Sequence, residues 1–186
     1  LELESIVLPM IPLRGLSVFP NMVLHFDIGR EKSINALEKA MITNQHIFLT
    51  SQKDENTDLP TPDDFYHIGT IGKIKQMLKL PGDSIRVLVE GVCRGRVEEI
   101  ISEVPFFKCL IDPLKDKEQG KEDPEVEALM RTALSNFDEY ININQNLAPE
   151  IFASVVSIEE PGRMADMIGS HLEIKLEDKQ MLLETL

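Results

Sequence analysis

The stretch GTIGKIK, beginning at Gly69, has the residue types of a phosphate-binding loop. Such a loop needs GxxxxGK followed by Ser or Thr, so that backbone N–H groups wrap the phosphates and a hydroxyl reaches Mg²⁺. Here only two residues separate Gly69 from Gly72, and Ile74 stands where the hydroxyl belongs. Lys73 also falls in a strand pattern rather than at a helix start, so the nucleotide reading fails on geometry.

Paired carboxylates are the next candidates for chemistry: Asp63–Asp64, Glu98–Glu99 and Glu159–Glu160. General acid–base work needs two carboxyls in one desolvated pocket that drives their pKa values apart. These pairs lie on polar faces or in loops and read as solvated. His25, His46, His67 and His171 are scattered without metal-ligand spacing. Cys93 and Cys109 belong to no CxxC pair. They read as small buried hydrophobes of a reducing compartment, with a disulfide between neighbouring strands as the alternative. No GxSxG or HExxH occurs in the sequence, and Ser102 and Ser154 have no identifiable base. An enzyme would need a site assembled from dispersed carboxylates; a deep pocket holding strongly perturbed acids would support a hydrolase of that kind.

What remains is apolar surface. In KIKQMLKLPGDSIRVLVEG, residues 73–91, period-two alternation places Met77 on a face with Lys73, Lys75 and Lys79. Ile74, Leu78 and Leu80 occupy the other face with Gln76. A methionine among lysines, next to leucines and the Pro81 turn, suits a tip that touches an apolar partner, because the thioether adapts to many shapes. Met77, Leu78, Leu80 and Pro81 are therefore the candidate contact residues. Met10, Leu13 and Phe19, near the N-terminal proline turns, are weaker candidates. Residue by residue, the competing reading is ordinary core packing.

The elements that carry these residues follow from pattern. IVLPMIPLRGLSVFPNMVLHFDIG holds two apolar runs broken by Pro12, Gly15 and Pro20, as at strand edges, ends or bulges. Ile34, Ala36, Leu37, Ala40 and Met41 keep a helical period. HIFLTSQ reads as a buried strand and KDENTDLPTPDD as a surface loop. The segments around PGD form a hairpin, with Gly82 free to take positive φ, and FFKCLID adds a strand. LKDKEQGKEDP then marks a shift in composition. Beyond it, helices are expected from Glu125, Pro149, Pro161 and Leu176. The reading is thus residues 1–116 as a β-rich unit, 117–124 as linker or loop, and 125–186 as a helical unit. The helical pattern still runs at Leu186 and the first residue is not Met, so a piece of a longer protein is expected.

The chain of 186 residues is 42% hydrophobic, without tryptophan, and carries a net charge of −13. Residues 1–116 hold 13 basic and 17 acidic side chains, and residues 117–186 hold 6 and 15. That balance argues against a nucleic-acid binder or a protein of anionic membrane surfaces. No apolar run reaches the roughly 20 residues of a membrane span, and LELESIVLPM lacks the features of a secretory signal.

Taken in order, LPMIPLRGLSVFPNMVLHFDIGR, IGTIGKIKQMLKLPGDSIRVLVEG, EALMRTALSNFDEY, EEPGRMADMIGSHL and KLEDKQMLLETL resemble the N-terminal domain of bacterial Lon, an ATP-dependent protease of the LonA type. Each motif is weakly specific alone; the ordered set covers nearly the whole chain. The resemblance implies an α+β fold, with a β-rich, PUA-like pseudo-barrel N-lobe followed by an all-helical C-lobe. It implies a non-catalytic domain of a cytoplasmic protease that helps recognise unfolded or damaged proteins and supports assembly of a homohexamer. ATP, Mg²⁺ and the serine–lysine dyad would belong to modules outside this sequence, so no cofactor and no metal are expected here. The alternative is a purely structural domain that contacts neighbouring subunits. PUA-like folds often bind RNA, but the acidic balance disfavours that inheritance, and fold alone does not carry function.

Overall fold

A computed structural model of the chain describes residues 4–115, 123–144 and 146–185. The expected linker over 117–124 lies outside these residues except for Asp123 and Pro124. Six strands and a helix come first: β1 (Ile6–Leu13), β2 (Val23–Ile28), α1 (Glu31–Met41), β3 (His46–Ser51), β4 (Ile68–Lys79), β5 (Ile85–Ser102) and β6 (Phe107–Pro113). Helices α2 (Pro124–Ile143), α3 (Glu150–Val156), α4 (Pro161–His171) and α5 (Leu176–Glu184) follow. The fold is α+β.

The sheet order is β2-β5-β4-β3-β1-β6, and β5 also pairs with β6. Five strands therefore close on themselves, while β2 hangs on the first half of β5. The 18-residue β5 makes this possible. Its start pairs with β2 and β4, from Ile85 to Glu90, and its later residues pair with β6, from Gly95 to Ser102. Closure covers most of the edges that these five strands would otherwise leave open.

Two apolar cores fill this unit. Inside the ring sit Leu8, Met10, Phe48, Phe65, Phe107 and Ile111, with Phe65 and Phe107 edge to face at 5.4 Å. The second core lies under α1, whose Ala36, Leu37 and Ala40 meet Ile11, Ile47, Ile74, Val87 and Val89. Small residues on the buried stripe of α1 let the helix approach the sheet closely.

The helices build a third core from Phe137, Ile141, Val155, Ile158 and Met164. Asp123 starts α2 by accepting the Glu125 N–H at 2.9 Å, with Pro124 in the first turn, where its missing N–H costs nothing. Polar contacts join helices to ring: Arg94 of β5 reaches Asp166 and the Leu183 carbonyl, and Gln180 donates to the Ile68 carbonyl at 3.0 Å.

Candidate functional site

The β4–β5 hairpin ends at Leu80–Ser84, closed by the Leu80 N–H donating to the Ser84 carbonyl at 2.8 Å. Gly82 and Asp83 take positive φ of 84° and 61° in the turn. Lys75 has no counterpart on β5: Ile74 faces Val89 and Gln76 faces Leu88. This bulge breaks the period-two parity once. Met77 consequently turns inward with Ile74, half-buried against the core under α1. Leu78 turns outward and is 55% exposed. The expected faces are thus exchanged: Met77 does not stand among the lysines, and Leu78 is the side chain presented to solvent. Leu80 is half-buried and Pro81 is exposed.

The outer face around Leu78 is mixed. The β2–β5–β4 register sets Val23, His25 and Asp27 beside Glu90, Leu88 and Arg86, and these beside Lys73, Gln76 and Leu78. Arg86 grips Asp27 through two hydrogen bonds, Nε to Oδ1 at 2.7 Å and an Nη nitrogen to Oδ2 at 2.8 Å, which holds the Asp27 carboxyl below the usual range. Lys75 pairs with Glu90 and lowers its pKa in the same way. Around these pairs, Val23 at 59% and Leu78 at 55% are the large apolar groups most open to water.

The weaker candidates are corrected outright. Met10, Leu13 and Phe19 are 1%, 6% and 1% exposed. Met10 points into the closed ring and Leu13 into the core under α1. Phe19 lies between the Gly91 backbone and Gly169 of α4. Their proline-broken neighbourhood looked like surface, but ring closure and the docked helices cover it. None of the three offers surface to a partner.

Cys93 and Cys109 form no disulfide. Burial pushes the Cys109 pKa up to about 12, far from thiolate reactivity. Among the described residues, no group of three or more His, Cys, Asp or Glu side chains is placed to hold a metal ion. No helix among them is long and apolar enough to cross a membrane.

Residues 7–186 match the family described as the ATP-dependent protease La (LON) substrate-binding domain. The Lon protease of Desulforamulus reducens is 49% identical over 184 residues, which is 99% of this chain and 22% of that protein. That of Brevibacillus choshinensis is 51% identical over 178 residues, 96% of this chain and 23% of the relative. The chain thus spans less than a quarter of the length of these relatives. In structure it superposes on the N-terminal domain of a Mycobacterium avium complex Lon protease with a TM-score of 0.78 over 97% of this chain and 90% of the other. Sequence identity there is 19%, so that likeness is one of fold. With the matched residues running from the first strand to the last helix, this chain belongs to the family of Lon substrate-binding domains.

Proposed function

We propose that this domain captures unfolded or damaged protein through exposed apolar surface at the β4–β5 hairpin, as a non-catalytic part of a cytoplasmic ATP-dependent protease. The observation that carries this reading is Leu78, 55% exposed near the exposed Pro81 at the end of the β4–β5 hairpin. Met77 and Leu80, both half-buried, extend the patch inward. Unfolded chains expose many apolar segments, so a small apolar tip needs to read no single sequence. Weak contacts would gain strength by repetition in a homohexamer, where several copies hold one chain. The domain acts as a PUA-like unit over residues 1–116 joined to a helical unit over 125–186. It uses no cofactor; ATP and Mg²⁺ serve a separate ATPase module.

The test is binding of a labelled, permanently unfolded polypeptide compared with its folded form, for the parent chain and for Leu78→Asp. Selective binding of the unfolded form, weakened at least about fivefold by the substitution, is expected from loss of a leucine contact. Equal binding by parent and variant removes the tip from the account.

A second reading has its own observation. Leu129, Ile143 and Met181 of the helices are 66%, 82% and 67% exposed, an apolar display suited to contacts between subunits. Concentration-dependent self-association that Leu129→Asp or Met181→Asp abolishes would favour a structural role.

A further inference from the structure

The register of the sheet leaves two strand edges open toward each other. β6 accompanies β1 only from Ile6 to Met10, so Ile11–Leu13 have β3 on one side alone. Among the described residues β2 pairs only with β5. The Gly91 N–H donates to the Met22 carbonyl, and antiparallel bonding alternates from there. The backbone groups of Leu24, Phe26 and Ile28 therefore turn toward β5, and those of Val23, His25 and Asp27 face the open edge. A cleft of about 420 Å³ lies between the two strands, reaching Leu16, Phe26, Asp27 and Ser33.

The cleft brings two arginines, Arg14 and Arg30, together with Asp27 and Asp58 in a chain of net charge −13. Arg30 occupies the N-cap of α1, where Ser, Thr, Asp or Asn would accept a first-turn N–H, and its side chain caps nothing. Its guanidinium instead donates to Gln52 Oε1 at 2.5 Å and to the Pro12 carbonyl. Both acceptors are neutral. Burial first, then the charge of Arg14, lower the Arg30 pKa, with Asp58 opposing. Arg14 pairs with Asp58 at 2.7 Å in a solvent-exposed contact. Asp27 is already engaged by Arg86. The two carboxylates of the cleft, Asp27 and Asp58, are thus each engaged by another arginine, and Arg30 stands at the positive end of α1.

A half-buried cation held by neutral acceptors is completed by an anion. The open β2 edge adds a second requirement, since it can pair with one extended backbone, whereas the Pro12 carbonyl on the β1 edge is already taken by Arg30. We infer that the cleft between β1 and β2 binds the C-terminal carboxylate of an extended polypeptide, with Arg30 and Arg14 receiving the carboxylate. The β2 edge pairs with the preceding residues, and Leu16 and Phe26 give their side chains an apolar wall. This rests on the reading of the domain as a binder of unfolded polypeptide and adds a preference for chain ends.

The test uses the 186-residue chain and a short labelled apolar peptide in three forms: free acid, C-terminal amide, and amide with an internal Glu. Fluorescence anisotropy should show the free acid binding at least about tenfold more tightly than either amide, as a charge-assisted contact implies. Arg14→Gln should shrink that preference. Asp58→Asn, which releases Arg14 from an exposed pair and leaves the core untouched, should enlarge it about threefold. Equal binding of acid and amide overturns the inference, and an internal Glu that matches the free acid overturns the assignment to chain ends. An unfolded polypeptide bound equally as acid and amide sinks this inference alone. If no unfolded chain binds in any form, the broader reading falls with it.

Discussion

Arg94 of β5 and Asp166 of α4 meet as a buried bidentate ion pair, with N–O distances of 2.6 and 2.8 Å. The two residues come from the strand that pairs with β2, β4 and β6 and from a helix, 72 positions apart in sequence, so the pair ties the helices to the ring. The same guanidinium donates from Nε to the Leu183 carbonyl at 2.8 Å, which brings α5 into the arrangement.

Breaking the pair from one side leaves a charge buried without its main partner. Asp166→Asn should therefore lower unfolding stability by about 3–5 kcal/mol. Arg94→Met combined with Asp166→Leu should lose distinctly less than either single change predicts. Urea denaturation of all variants gives the comparison; additive losses would mean that the two side chains are not energetically coupled.

Gly91 is required by close approach. A Cβ there would lie 2.2 Å from the Phe19 carbonyl oxygen. Gly91→Ala should cost about 2–4 kcal/mol because backbone, not a flexible side chain, stands in the way. Gly29, with nothing within 4 Å of its Cβ position, is the control. Gly29→Ala should shift stability by no more than about 0.5 kcal/mol. Midpoints of thermal unfolding separate the two.

The bulge at Lys75 makes neighbouring residues behave oppositely. Met77→Asp places a carboxylate against the core under α1 and should cost about 1–3 kcal/mol. Leu78→Asp lies on the outer face and should cost no more than about 0.5 kcal/mol. Deleting Lys75 should keep that order, because it removes only the unpaired residue and leaves Met77 two positions after Ile74 on the inner face. Chemical denaturation of both substitutions, in the parent and in the deletion variant, checks all three statements.

His171, at the end of α4, is partly buried, and burial and then Lys179 lower its pKa from 6.5. The folded state therefore favours the neutral ring, and the unfolded state binds more protons near that pH. Stability from this group is complete above the unfolded value, falls as pH drops through it, and levels off below the folded value. Urea midpoints measured from about pH 7.5 to 5.5, spanning the ordinary histidine range, should decline. His171→Gln should flatten part of that decline; an unchanged slope would assign it to other groups.

Most elements of this fold are legible from local periodicity and from the residues that start and stop them. The helical stripe of α1, the strands around PGD and the proline-started helices all show in residue order alone. What period two cannot show is an extra residue. The bulge at Lys75 leaves no mark in the sequence, yet it decides which of Met77 and Leu78 meets water. Met10, Leu13 and Phe19 were misplaced for a different reason: their burial depends on β6, on α1 and on α4, partners distant in sequence. Arg14 and Arg30 did not stand out because they sit on separate elements. One local signal was available, an arginine in the N-cap position where a small polar acceptor is the usual choice.

The ring order has a consequence for how the chain reaches this state. β1 needs β3 on one side and β6 on the other, and its pairing of Ile6 with Ile111 joins residues about a hundred positions apart. During synthesis the first strand therefore waits, one edge unsatisfied, until the sixth has emerged. Contacts of such long sequence separation slow folding, since loop-closure entropy is spent before pairing repays it. A domain of a substrate-binding family thus passes through a stretch of its own synthesis with an open apolar strand, dependent on its last strand for cover.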